Sequence, residues 1–226
     1  MSASNNSKTT PWRCELKIPL QYRQYVNFDR WLVDNGIRRD KPYADRVVHS
    51  VYLDSADFDD YLDNVSGISA RGKIRLRWYN DAVDGLVVEL KNKRGKLSQK
   101  ELIQLQNCTG RAPLDSSDVR LALRSHPRSA QLARQLALFP TLHARYSRSY
   151  YEISSGIRMT VDSDICYQRL YPMASRHLAH SAVDRVIEIK YSQSRQADVA
   201  SILQGMPARI FRHSKYVIGV DSVCDL

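Results

Sequence analysis

The chain has 226 residues, with 34 Lys and Arg against 24 Asp and Glu and a formal net charge of +10. That length suits one well-cored domain, and the cationic surplus points to a polyanionic partner (phosphate chain, nucleic acid or acidic lipid) without choosing among them. No run of signal-peptide or membrane-spanning length occurs, and Cys14, Cys108, Cys166 and Cys224 have no CxxC spacing. Secretion, a disulfide framework and a zinc site are therefore not indicated, and reduced thiols in a cytoplasmic protein are expected.

Residues 1–11 are small and polar and read as a disordered leader, 12–221 as a single domain and 222–226 as a tail. The first strand follows the leader, with Cys14, Leu16 and Ile18 opposing Arg13, Glu15 and Lys17. Tyr25, Phe28, Trp31 and Leu32 then fall at helical spacing within residues 22–35, with Gly36 as the stop. Val47, His49, Val51 and Leu53 alternate with Ser50, Tyr52 and Asp54, which predicts a second strand. The acidic cluster Asp57, Asp59, Asp60 and Asp63 reads as a capped helical turn or solvated loop in preference to a metal site.

Period-2 alternation is clearest over residues 73–79, where Ile74, Leu76 and Trp78 oppose Lys73, Arg75, Arg77 and Tyr79. A hairpin loop with Asn80, Asp81, Asp84 and Gly85 leads to Leu86, Val88 and Leu90 opposing Val87, Glu89 and Lys91. The basic stretch 91–100 lacks the interleaved aromatics of a single-strand-binding surface, so it is assigned to a strand wall and loop, with no specific nucleic-acid partner. Amphipathic helices are expected at 117–124, 129–138 and 196–204. Between the last two, residues 145–152 are strand-like, and Ile157, Met159 and Val161 oppose Arg158, Thr160 and Asp162. His177 and His180 have no third ligand nearby in sequence and are set aside as a metal pair. Val186, Glu188 and Lys190 then oppose Ile187, Ile189 and Tyr191, and the β-branched and aromatic run 215–220 is expected as a last strand that closes the sheet.

One charged strand face is ordinarily a solvated face. Several strands with the same pattern have a different solution: the sheet closes, the apolar faces turn outward under helices, and the charged faces surround a polar lumen. Two like charges ~6 Å apart at an effective dielectric of ~20 repel by roughly 3 kcal/mol, so such a lumen must hold water, carboxylates and anions. Glu15, Glu89 and Glu188 offset part of the excess and offer hard oxygen ligands to a divalent cation. Cations spaced along a channel suit a linear, densely charged anion, and a phosphate chain is one; Arg grips its oxygens in forks and Lys as a point charge.

The pieces Arg13-Cys14-Glu15-Leu16-Lys17, Ser50-Val51-Tyr52-Leu53-Asp54, Lys73-Ile74-Arg75-Leu76-Arg77, Val88-Glu89-Leu90-Lys91, Tyr146-Ser147-Arg148, Val186-Ile187-Glu188-Ile189-Lys190-Tyr191 and Ser214-Lys215-Tyr216, in this order, resemble the VTC polyphosphate polymerase domain of the triphosphate tunnel metalloenzymes. The resemblance runs from about Arg13 to Gly219. It implies a mainly β, α+β fold: an eight-stranded antiparallel barrel with a charged lumen and a few flanking helices. It implies that Lys17, Arg75, Arg77, Lys91, Lys100, Arg148, Arg158, Lys190 and Lys215 bind substrate phosphates, with Arg75, Arg77, Lys91 and Lys215 as the catalytic cations. Glu188 would hold Mn²⁺ or Mg²⁺, assisted by Glu89 or Glu15. ATP and inorganic polyphosphate or triphosphate are the implied ligands, and a separate membrane protein the implied partner at the inner face of a membrane. Arg13 stands where the cyclase and thiamine triphosphatase branch typically opens with Glu, which favours the polymerase-like branch over two-metal hydrolysis. The expected activity is transfer of the ATP γ-phosphoryl group to a polyphosphate chain; triphosphate hydrolysis and polyphosphate binding without turnover are the alternatives.

Overall fold

Side chains alternate across an extended backbone, so a strand with one apolar and one charged face needs a dry side and a wet side. The computed structural model describes residues 7–105, 112–171 and 178–224; Cys108, His177, residues 1–6 of the expected leader and 225–226 of the tail lie outside them. Eight antiparallel strands close on themselves in the order β2 (Arg13–Leu20), β11 (Arg185–Tyr191), β9 (Ile157–Arg169), β8 (Phe139–Ser154), β3 (Arg46–Asp54), β5 (Ile74–Tyr79), β6 (Ala82–Arg94) and β7 (Leu97–Gln104), with β7 returning to β2. Two short strands, β4 (Ala70–Arg71) and β10 (Ala179–His180), extend β6 and β9.

The β2–β7 seam consists of only the pairs Arg13–Ser98 and Cys14–Leu97, and β1 (Ser7–Thr9) continues it along β7. The amide of Thr10 donates to the Lys100 carbonyl, and the Lys100 amide donates to the Thr10 hydroxyl. Part of the expected leader is thus a strand. Its side chains are all exposed and carry no apolar alternation, because backbone bonds alone hold it. The loop expected at residues 80–85 shortens to a turn at Asn80 and Asp81, since β6 begins at Ala82 and Asn80 takes a positive φ of 53°.

The outward faces are apolar and roofed by helices. Helix α1 (Tyr22–Asp34) lays Phe28 and Leu32 on Ile18, Ile187 and Ile189, joined by Val199 of α5 (Gln196–Ile202). On another side, α3 (Ser116–Arg124) and α4 (Pro127–Gln135) cover Leu76, Trp78, Val88 and Ile103 with Val119, Leu123 and Leu132. The expected thiols Cys14 and Cys166 are buried and free. Three of the four acidic-cluster residues, Asp59, Asp60 and Asp63, lie in α2 (Asp59–Val65), whose amides at Asp60 and Tyr61 donate to the Asp54 carboxylate, so Asp54 caps the helix. Among the described residues, no helix is long and apolar enough to cross a membrane.

Residues 215–220, expected as a strand, instead begin helix α6 (Lys215–Val223). Ser214 caps it by accepting from the Val217 amide, and its apolar residues find a surface on the inner wall. Tyr216 and Val220 pack with Leu142, Ala144, Ile165, Tyr167 and Val186, which precede or follow the charged positions on the same strand faces. A helix that is buried on several sides tolerates β-branched residues because tertiary packing outweighs propensity. Beside the charged lumen that was expected, the barrel therefore has an apolar storey filled by α6. The Tyr216 hydroxyl donates to Asp54 at 2.5 Å, tying α6 to the α2 cap.

Gly219 marks the closest approach: an added Cβ would lie 2.4 Å from Leu142 Cδ2 and 2.7 Å from Tyr167 Cδ1. Gly219→Ala should therefore destabilise by ~1–3 kcal/mol through overpacking, despite the ~1 kcal/mol by which alanine favours a helix. Urea unfolding measures this, and an unchanged or higher midpoint would refute the tight seating of α6.

Candidate phosphate-binding tunnel

Lysine and arginine carry charge at the ends of long side chains, so strands that point them to one axis concentrate charge there. One cavity of about 1330 Å³ is lined by Lys17 and Glu15 from β2, Arg75 and Arg77 from β5, Lys91 from β6, Lys100 from β7, Arg148 from β8, Glu188 and Lys190 from β11 and Lys215 from α6. Every cation named from the sequence reaches this wall except Arg158. Its register beside Lys190 gives it the lumen-facing parity of Thr160 and Asp162, but its side chain is exposed and off the cavity wall. Arg13, Lys73, Lys93 and Arg212 also line the cavity and were not singled out as ligands from the sequence.

The wall is organised as cations gathered around carboxylates. Glu89 accepts from Arg75 Nε at 2.8 Å, from Lys100 at 3.2 Å and from Arg77 at 3.4 Å. Arg77 also donates to Ser50 Oγ at 3.1 Å and to the Tyr146 hydroxyl at 3.0 Å. Glu188 pairs with Lys190 at 2.7 Å and with Lys17 and Arg148 at 3.4 Å. Glu15 accepts from Lys91 at 2.5 Å and lies 4.0 Å from Lys190. Asp162, fully buried, receives a fork from Arg148 at 2.6 and 2.7 Å and a bond from Lys215 at 2.5 Å.

Burial pushes each of these carboxyls up, yet the surrounding ammonium and guanidinium groups outweigh it. Glu89 and Glu188 are held well below the ordinary carboxylate range, and Glu15 and Asp162 below theirs. Among the described residues Lys73 has no carboxylate within ion-pair distance. Burial first, then Lys17, Lys91 and Arg71, bring it down to about 6, and its amine donates to Ser214 Oγ at 2.6 Å.

The chain belongs to the VTC domain family. The family model, described as the VTC domain, matches residues 4–224. No curated protein matches the chain. Among solved structures, the VTC chain is similar in fold to the putative adenylyl cyclase HpAC1 from Hippeastrum, in which a triphosphatase activity is dominant, at 13% identity and TM-score 0.57, covering 95% of this chain and 97% of that one. A putative adenylate cyclase from Bacillus halodurans matches at 15% identity and TM-score 0.52, over 89% and 93%. The PH1819 protein from Pyrococcus horikoshii matches at 14% and 0.50, over 91% and 96%. At such identities the likeness is one of fold, and it agrees with the closed barrel.

The divalent cation that the family resemblance implies would find two carboxylates on this wall. Glu15 and Glu188 both line the cavity and both approach Lys190, so two hard oxygen donors converge where a cation already sits. Among the described residues no group of three His, Cys, Asp or Glu forms a ready cage, so further oxygens would have to come from a bound ligand or water. Glu89 is placed differently: it stands behind Arg75, Arg77 and Lys100 and is not on the cavity wall.

Sequence reasoning named Asp162 only as part of a charged strand face. Its signal was parity with Arg158 and Thr160, and the bond partners that give it a role come from β8 and α6. Asp162→Asn would leave Arg148 and Lys215 buried beside a neutral amide, with an expected cost of ~3–5 kcal/mol. Tripolyphosphate should restore part of that loss by replacing the charge; denaturation with and without the anion measures both. The pH dependence has a defined sign. Because the folded carboxyls lie below their ordinary values near 4.5 and 3.8, their contribution to stability is complete above about pH 4.5 and falls away as pH drops through the depressed values. Circular dichroism across an acid titration checks this.

Proposed function

We propose that this tunnel is a polyphosphate polymerase site, in which the γ-phosphoryl group of ATP is transferred to the end of a phosphate chain held by fixed cations. The observation that carries the reading is convergence: eight of the expected phosphate-gripping cations from six strands and α6 share one cavity wall with Glu15 and Glu188. Phosphoryl transfer asks little covalent work of a protein; it asks that reacting oxygens be aligned and dispersed negative charge be neutralised.

In this reading Arg75, Arg77, Lys91 and Lys215 grip the reacting phosphates, with Lys17, Lys100, Arg148 and Lys190 along the chain. An oxygen of the terminal phosphate forms a bond to the γ-phosphorus, the bond from that phosphorus to the β–γ bridging oxygen breaks, and ADP leaves with the electron pair. The acceptor oxygen is already ionised, so no general base is required. Mn²⁺ or Mg²⁺, when bound, would neutralise charge on the phosphate oxygens, and Glu188 with Glu15 would hold it. Glu89 keeps the Arg75 and Arg77 forks in place.

Hydrolysis is the second reading, favoured by the triphosphatase activity of the Hippeastrum structure of the same fold. It differs in needing an oriented water, for which Glu15 on the cavity wall is the candidate. The proposal includes cytoplasmic placement, at the inner face of a membrane through a separate membrane protein.

The deciding experiment incubates purified protein with ATP and Mn²⁺ and assays long phosphate chains and orthophosphate separately. Chains are expected, and Glu188→Ala should abolish them. Orthophosphate alone would replace the polymerase with a triphosphatase, and polyphosphate binding without either product would leave a binding module. Arg75→Ala and Arg77→Ala should each weaken polyphosphate binding by ~1–3 kcal/mol, measured by calorimetry.

A further inference from the structure

His213 lies in the segment between α5 and α6, and its backbone is pinned to β2. Lys17 Nζ donates to the His213 carbonyl at 2.7 Å, and the amide of Phe211 donates to the Lys17 carbonyl at 3.0 Å. The side chain is on the cavity wall and only 7% exposed, yet among the described residues neither Nδ1 nor Nε2 has a hydrogen-bond partner. Buried polar atoms are nearly always paired, and an imidazole with both nitrogens orphaned is a group the empty fold would be better without. A phenylalanine of similar size would pack there without that penalty.

The surroundings say what the ring suits. Lys215 and Lys17 are its charged neighbours on the cationic side, with Glu188 and Asp162 opposite, and burial followed by those ammonium groups brings it down to about 3. The ring is neutral at neutral pH and presents one N–H donor. Ser214, next in the chain, caps α6 and accepts from Lys73, so the positive end of a nine-residue helix opens at the same place. A donor, a helix N-terminus and ammonium groups favour one class of ligand, an oxyanion.

We propose that His213 is a phosphate-binding residue of the tunnel, donating its ring N–H to an oxygen of the chain beside Lys17 and Lys215. Nothing in the VTC match assigns it this role, and the inference rests on the reading of the cavity as a phosphate tunnel. The orphaned nitrogens are then the cost of a site prepared for its ligand, a stability–function exchange of a familiar kind.

Tripolyphosphate is the probe, with calorimetry for affinity and thermal denaturation for stability. His213→Phe should raise the melting temperature of the anion-free protein by about 2–4 °C and weaken tripolyphosphate binding about tenfold, the loss of one charge-assisted hydrogen bond. His213→Asn, which keeps an N–H donor, should bind within about threefold of wild type. A structural histidine would show the reverse, a lower melting temperature with unchanged affinity, and that result would overturn the proposal, as would unchanged affinity alone. Should the phenylalanine variant not fold, His213→Ala carries the same affinity comparison. Wild-type protein that fails to bind tripolyphosphate would remove the phosphate-tunnel reading itself, and this inference with it.

Discussion

Charge compensation inside the barrel is the constraint on which the rest depends. Arg77, Arg148 and Lys215 are each more than nine-tenths buried, and a charge placed there without a partner costs several kcal/mol. Glu89, Glu188, Glu15 and Asp162 meet that cost by sitting between cations from different strands, so the bonds that neutralise the lumen also join β5 to β6, β2 to β11, and α6 to β9. Electrostatics and topology are one problem in this molecule. The pattern of bonds holds the guanidinium forks at fixed angles before any ligand arrives, the preorganisation that phosphoryl chemistry rewards.

The carboxylates divide by what they face. Glu89 and Asp162 lie off the wall of the open cavity, covered by the cations they bind, so their chemistry is to hold a donor still. Glu15 and Glu188 face the cavity and converge on Lys190. In the proposed reading that pair, set against Lys190 and Lys17, is where a divalent cation would be held. The wall is thus neutral enough to fold and cationic enough to attract, because cations exceed carboxylates along it.

Helix α6 completes the design from within. It fills the apolar storey, delivers Lys215 to Asp162, brings Ser214 and His213 to the cavity wall, and fixes itself to the α2 cap through Tyr216 and Asp54. A disturbance of that packing would reach the cations of the cavity wall directly, since Lys215 and Tyr216 are adjacent in the chain. The outer helices α1, α3, α4 and α5 have a simpler part: they keep the apolar faces dry, and sidedness follows from that.

The period-2 pattern alone determined sidedness, because a strand has two faces and the Leu, Ile and Val positions of residues 13–18, 73–79 and 186–191 had to leave water together. It put Lys17, Arg75, Arg77, Lys91 and Lys190 on the charged faces for the same reason, whereas Lys100, Arg148 and Lys215 were named only through the family resemblance. What it did not reach were relations between segments distant in the chain. The strand-like composition of residues 215–220 said nothing of an inner apolar wall into which a helix would fit. Ser7–Thr9 joined the β7 seam through backbone bonds that leave no side-chain signature. Arg158 had the right parity and a register beside Lys190, yet its side chain is exposed and off the cavity wall, while Glu89 had the right chemistry and stood behind its own arginines. Sequence order specifies which face a side chain takes, since that is local geometry; how deep along the axis it sits, and which partner claims it, only the closed barrel decides.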